Sequence, residues 1–161
     1  MKTLIVYYSL EGNTAFAAER IAGILGAETL RLEPEKAYPS SGMKKFLWGG
    51  KSAVMGETPP LKPYVFRGED WDRILLGFPV WAGTFAPPLR TFLRDHGKEL
   101  AGKPAAAFAC QSGSGGEKAL KKLAALLGRE SFAAELVLID PKSRPKPENE
   151  EKIAGFCGKL S

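Results

Sequence analysis

A chain of 161 residues, 44% hydrophobic and 25% charged, carries enough apolar material to bury a core without disulfides or a structural metal. No apolar run approaches the roughly eighteen residues that span a bilayer, and the opening Met1–Tyr8 is too short and lacks the cleavage site of a secretion signal; a cytoplasmic protein with no membrane partner is expected. The net charge of +5 is scattered through Lys44–Lys45, Lys121–Lys122 and the stretch from Lys142 to Lys152 among acids and without interleaved aromatics, which argues against a nucleic-acid partner.

In chain order, Leu4 to Tyr8 is a continuous apolar, β-branched and aromatic run, the pattern of a central parallel strand covered on both faces. A polar turn, Ser9-Leu10-Glu11-Gly12-Asn13-Thr14, follows. Phe16, Ala17, Ile21, Ile24 and Leu25 then recur at helical spacing, and Gly26 supplies the stop. Thr29 to Leu32 reads as a short second strand ended by Glu33-Pro34, completing a βαβ unit. Pro34 to Asp72 is rich in Pro and Gly, with one helix-like piece around Met43 to Val54. So long a structureless loop is out of keeping with a compact domain, so part of it is expected to fold over the sheet, with Trp48 and Met55 as core filler.

Ile74 to Phe78 is the third strand, followed by a loop from Pro79 to Ala86. Pro87-Pro88 opens a helix that runs through Leu89, Phe92 and Leu93; His96, the only histidine, is expected at its end as a cap or surface residue. Ala105 to Cys110 forms the fourth strand, and Gln111 to Gly116 the next loop. A helix over Glu117–Leu127, a strand over Ala134–Ile139 and a terminal helix near Glu148–Leu160 complete the chain. No repeat or linker divides it, so residues 1–161 are read as a single domain. Cys110 and Cys157 make neither a disulfide framework nor a metal spacing; two reduced thiols and no metal site are expected.

The alternation predicts an α/β fold, a doubly wound sheet of five parallel strands with helices on both faces. Right-handed crossovers bring every strand's carboxyl end to one edge, where ligands bind at the reversal of winding. The loops 9–14, 79–86 and 110–116 meet there with a single charged residue, Glu11, among them. In the first, the Ser9 and Thr14 hydroxyls and the Asn13 amide are donors, and Gly12 permits the turn. The first amides of the following helix add the positive end of its dipole, so the loop suits a phosphate without needing a lysine. Neither the Gly-Lys-Ser/Thr of a nucleoside-triphosphate loop nor a G-x-G-x-x-G dinucleotide fingerprint is present, which favours a terminal monophosphate. Asn13 or Thr14 acting as a plain helix cap is the competing reading.

A first strand followed by S-x-x-G-x-T and a helix, with F-P-V-W-A-G-T-F-A-P-P-L after the third strand, resembles the flavodoxin family over nearly the whole chain. The resemblance implies strand order 2-1-3-4-5 and a non-covalent flavin mononucleotide (FMN). Carried across, Ser9, Leu10, Glu11, Gly12, Asn13 and Thr14 would hold its phosphate. Pro79, Val80, Trp81, Ala82, Gly83 and Thr84 would flank the isoalloxazine ring, and Cys110, Gln111, Ser112, Gly113 and Gly116 its pyrimidine edge. Trp81 offers a broad apolar face to a flat ring, a contact worth ~1 kcal/mol beyond its buried area. Phe85 and Tyr8 read as packing residues, and Cys110 as a buried thiol. Two features depart from the family: Glu11 stands where a hydroxyl residue is usual and is expected to face solvent, and the chain is basic where electron-carrying members are acidic.

An electron carrier passing electrons through FMN is the expected function, with an FMN-dependent reductase of the NAD(P)H:quinone type as the alternative. Partners would be redox proteins or a small acceptor or nicotinamide, and the protein a monomer or homodimer. No catalytic side chain is assigned, since flavin hydride transfer needs none. A phosphorylated signalling receiver of the same topology is excluded: it requires acids where Ser9-Leu10 and Pro79-Val80-Trp81 stand.

Overall fold

A computed structural model describes residues 1–39 and 45–161, with backbone only at 45 and 46. Strands β1 (Thr3–Tyr7), β2 (Glu28–Arg31), β3 (Arg73–Trp81), β5 (Ala105–Gln111) and β6 (Glu135–Ile139) pair in parallel, in the order β2-β1-β3-β5-β6. Taken alone these five have the expected order 2-1-3-4-5. One correction is needed to the five-stranded reading. Pro79–Trp81, expected to begin a loop, prolong β3, and a sixth strand β4 (Thr84–Phe85) folds back antiparallel upon it. The two residues between, Ala82 (φ 51) and Gly83 (φ 71), both adopt the positive φ that a tight two-residue hairpin demands. Alanine in the first of those positions hides a turn that Asn-Gly would announce.

The period-two pattern of the strands sorts the core into two layers. Ile5, Leu75 and Phe108 face α1 (Asn13–Leu25) and α5 (Glu148–Gly158), packing with Ile21, Ile153 and Phe156. Val6, Leu76 and Ala107 face the opposite way, toward Leu89 and Phe92 of α3 (Pro87–Leu100) and Leu120 and Leu123 of α4 (Gly116–Leu126). Gly77 of β3 lies opposite Phe108 of β5, whose ring occupies its side-chain space: a Cβ at Gly77 would stand 2.2 Å from the ring's Cζ. Helices on both faces leave the carboxyl edge as the open rim.

Segment 34–72 does fold over the molecule. A bridge between Pro34 and Leu61 closes its base, and the Thr91 hydroxyl of α3 donates to the Pro59 carbonyl at 2.8 Å. Of the helix expected over 43–54, residues 43 and 44 lie outside the described range; the rest is a π-helical turn (Lys45–Gly49) leading into a short α2 (Gly50–Val54). Trp48 and Met55 are not core filler: they are 39% and 68% exposed, and the inward side of this piece is made by Gly49, Ser52 and Ala53. Small residues replace large ones there because Trp81 already fills the space; a Cβ on Gly49 would come within 3.3 Å of its indole.

His96 also departs from expectation. The helix continues to Leu100, and the imidazole is half-buried against Phe66 and Phe92, with centroids 4.8 and 4.9 Å away. Its Nδ1 meets Glu99 Oε2 at 2.7 Å and its Nε2 the Tyr64 hydroxyl at 2.9 Å. It fastens the 64–66 stretch to α3. Both cysteines are free and buried.

Candidate functional site

At the end of β1 the chain must leave a buried strand and enter α1 within a few residues. Gly12 makes the change of direction in the left-handed region (φ 99, ψ −8), as the residue before the helix. It has no side chain to cap with; the Ser9 hydroxyl instead accepts from the Ala15 amide at 3.1 Å. The amides of Asn13 and Thr14 head the helix, where no preceding turn supplies an acceptor. The Thr14 hydroxyl is enclosed, the residue being 1% exposed, and no group makes a hydrogen bond with it in acceptable geometry. A buried hydroxyl left unpaired is costly, so its presence calls for a partner.

Asn13 is used differently from the phosphate donor expected. Its carbonyl accepts from the Lys142 and Ser143 amides at 2.9 and 3.0 Å and from the Ser143 hydroxyl at 3.3 Å, while its Nδ2 donates to Asp140 Oδ1 at 3.4 Å. The side chain is a clamp between the first loop and the loop after β6. Arg31 braces the same loop from the other side, donating to the Ser9 carbonyl at 3.0 Å.

The loop after β5 repeats the device of the loop after β1. Gly115 enters α4 at φ 98, ψ −4, and the helix is again capped from a distance: Gln111 Oε1 accepts the Gly116 amide at 2.8 Å. Gln111 Nε2 donates back to the Gly113 carbonyl at 3.1 Å. Gly115 packs so closely on the β3–β4 hairpin that a Cβ there would lie 3.0 Å from Gly83 Cα. Thus two of the loops expected at the rim touch backbone to backbone.

Together the loops enclose a cleft of about 300 Å³, within the range of small-ligand sites. Of the residues expected there, Ser9, Leu10, Glu11, Asn13, Thr14, Pro79, Val80, Trp81, Ala82, Cys110, Ser112 and Gly113 line it. Gly12, Gly83, Thr84, Gln111 and Gly116 do not: they shape the turns behind the lining. Two lining residues, Gly50 and Asp140, were missed by the sequence reading, and a further one, Ser114, lies within the 110–116 loop that it placed at the rim. Asp140 follows the last strand, so the rule that ligands gather at strand carboxyl ends held the signal for a fourth loop.

Trp81 forms a fixed wall of this cleft. It is 9% exposed, and the rings of Tyr8 and Tyr38 meet it edge-on with centroids 5.7 and 5.0 Å away. Tyr38 is anchored by its hydroxyl to Ser52 at 2.7 Å, so the 34–72 segment holds the indole in place. Tyr8 and Phe85 are packing residues, as expected.

Charge enters through two carboxylates. Glu11 is exposed at the lip, as expected. Asp140 adopts φ 38, accepts from the Ser112 hydroxyl at 3.1 Å and is paired with Arg144 at 2.7 Å. Burial pushes the Cys110 thiol up to about 12, the neighbouring Thr14 hydroxyl pulling the other way, so the sulfur lining the cleft stays protonated and inert at neutral pH. A thiol is a weak acceptor and does not satisfy Thr14. Burial likewise raises the Tyr8 phenol. Among the described residues no three His, Cys, Asp or Glu side chains stand close enough to hold a metal ion, and no helix is long and apolar enough to cross a membrane.

A doubly wound sheet whose rim offers the opening amides of a helix, an enclosed hydroxyl without a partner and an indole wall suits a small, flat ligand. Residues 2–143 match the family model described as flavodoxin, and the chain belongs to the flavodoxin family. Among solved structures it is similar to a flavoprotein from Lactobacillus acidophilus in complex with FMN, at 22% identity and TM-score 0.72, over 94% of this chain and 97% of that one. It is also similar to the two-electron reduced flavodoxin of Megasphaera elsdenii (18%, TM-score 0.60, 99% of each chain) and to an oxidised flavodoxin of Bacillus cereus (20%, TM-score 0.58, 99% and 97%). Identities this low establish likeness of fold. No curated protein matches by sequence.

Proposed function

We propose that the cleft holds FMN non-covalently and that the protein carries electrons between redox partners. The observation that bears most weight is the Thr14 hydroxyl, buried without a partner at the head of α1. A terminal phosphate supplies the acceptor it needs, and further ones for the amides that open α1. The donors of the first loop are neutral, the two carboxylates of the lining being Glu11 at the lip and Asp140, paired with Arg144, and the walls toward Trp81, Val80 and Cys110 are apolar, which suits a phosphate tail and a planar ring at opposite ends of one cleft. FMN, when bound, supplies the redox chemistry. Ser9 fixes the loop, and Trp81 with its aromatic neighbours would present a rigid face to the ring.

A second reading, reduction of a small acceptor at the expense of a nicotinamide, draws on the contribution of segment 34–72. Gly50 of α2 lines the cleft, so the ring's surroundings include a wall from outside the basic βα framework. One experiment separates the two. The purified protein is titrated with FMN, then supplied with a reduced nicotinamide in the presence and absence of a quinone. Saturable binding without turnover, and reversible reduction at an electrode, support the carrier. Steady nicotinamide oxidation that depends on the quinone supports the reductase, and a protein that ignores FMN overturns both.

A further inference from the structure

The stretch from Leu47 to Met55 wears its apolar side outward. Gly49, Ser52 and Ala53 are buried, while Leu47, Trp48, Lys51, Val54 and Met55 are exposed. Their spacings of three, four and seven residues put the exposed five on one side of the helical stretch. Of the eight large hydrophobic side chains exposed among the described residues, four stand in these nine positions, so they form a patch rather than a scatter. Lysines accompany it. Lys51 emerges between the two apolar pairs, and Lys36 holds its Nζ over the Trp48 ring, 4.7 Å from the centroid. From Lys36 to Gly56 the sequence carries four lysines and no acidic residue; the nearest acids along the chain, Glu35 and Glu57, flank it. Gly50, in the same stretch, lines the cleft, so whatever covers the patch sits at the edge of the ligand site.

We propose that this patch is the docking surface for a redox protein with an acidic face, which exchanges electrons with the ligand in the cleft. This rests on the electron-carrier reading given above. An apolar centre containing Trp and Met within a charged surround is the make-up of a protein interface. The lysines select the sign of the partner: they draw in a carboxylate-rich surface and repel a basic one, in keeping with the chain's net charge of +5. A second copy is the poorer fit, because packing the patch on itself would bring Lys36 and Lys51 of both chains together. Docking here also keeps the donor-to-acceptor path short, since the patch and the cleft share one helical stretch.

The probes are an acidic [2Fe–2S] ferredoxin and, as its opposite, basic cytochrome c, each titrated calorimetrically into the FMN-loaded protein at two ionic strengths. Ferredoxin is expected to bind saturably and more weakly as salt rises, and cytochrome c at least roughly tenfold more weakly. Lys36→Glu with Lys51→Glu should weaken ferredoxin binding about 5- to 30-fold and flatten its salt dependence. Val54→Ser with Met55→Ser should weaken it about 5-fold or more and keep the salt dependence, and both pairs should leave FMN affinity within about twofold. Vesicles of phosphatidylserine and phosphatidylcholine, and sedimentation of the protein alone, try the other occupants. Absent ferredoxin binding, binding that survives both pairs of substitutions, or tighter association with cytochrome c, vesicles or a second copy overturns the docking surface and leaves the FMN site standing. Reduced ferredoxin that binds as expected yet passes no electron to the bound FMN overturns the carrier reading and leaves the surface.

Discussion

Thr14→Val removes one oxygen and keeps the shape, and its two expected consequences run in opposite directions. The hydroxyl is enclosed and unpartnered, and leaving such a group unpaired costs about 1–3 kcal/mol. Threonine and valine differ little in helix propensity, so that term cancels. The substitution should stabilise the ligand-free protein by about 1–2 kcal/mol, which for a chain of this size raises Tm by roughly 2–8 °C. A hydrogen bond to a charged acceptor is worth about 1.5–3 kcal/mol, so the same change should weaken FMN binding roughly 10- to 150-fold. Melting followed by far-UV circular dichroism on the ligand-free protein and fluorescence titration with FMN measure the two effects, with Thr14→Ser as the control that keeps the hydroxyl. A lower Tm for Thr14→Val, or an unchanged FMN affinity, would refute the assignment of that hydroxyl to a ligand.

Gly115→Ala places a side chain at φ 98 and a Cβ 3.0 Å from Gly83 Cα, so it should cost about 1–2 kcal/mol in urea unfolding. By prising apart two loops of the rim, it should also weaken FMN binding out of proportion to that loss. Ala82→Asn relieves the positive φ of 51 in the β3–β4 hairpin and creates the preferred Asn-Gly pair; a gain of about 0.5 kcal/mol is expected, and a loss would show that the hairpin is not of the tight two-residue type. Because burial raises the Cys110 thiol from the ordinary 9 to about 12, the folded chain keeps its proton where the unfolded chain releases it. The associated stability is intact below pH 9 and is lost as pH climbs from 9 toward 12, by roughly 1 kcal/mol per pH unit. Urea midpoints across that range should fall less steeply in Cys110→Ala, and an equal fall would place the effect on other groups.

The frame of the fold is legible because each core strand is buried on both faces and reads as a run rather than an alternation; Leu4–Tyr8 and Ile74–Phe78 leave little choice. Gly26 and Pro87-Pro88 mark helix ends by backbone chemistry alone, and the structure places those ends as read. The β3–β4 hairpin was hidden because Ala82 takes a conformation alanine rarely adopts, held there by the pairing of Trp81 with Thr84 and the contact of Gly115 with Gly83. Trp48 misled for a related reason: hydrophobicity suggests burial, but Trp81 had already claimed the interior volume and only glycine fits above it. In the site, the first loop was recognisable from its hydroxyls, glycine and position. The diversion of Asn13 to the 140–143 loop was not, since it depends on a contact between residues 129 and 130 apart in the chain.

That span has a bearing on how the protein comes into being. A ribosome releases Ser9–Thr14 long before Lys142 and Ser143, so the first loop waits through the synthesis of almost every strand for the partner that steadies Asn13. Most of the sheet can assemble in the meantime from nearer neighbours, because its pairings join β1, β2 and β3 early. The ligand's resting place is thus among the last features to acquire its final shape, and a nascent chain halted after β6 would own a nearly finished sheet with the entrance to its cleft still loose.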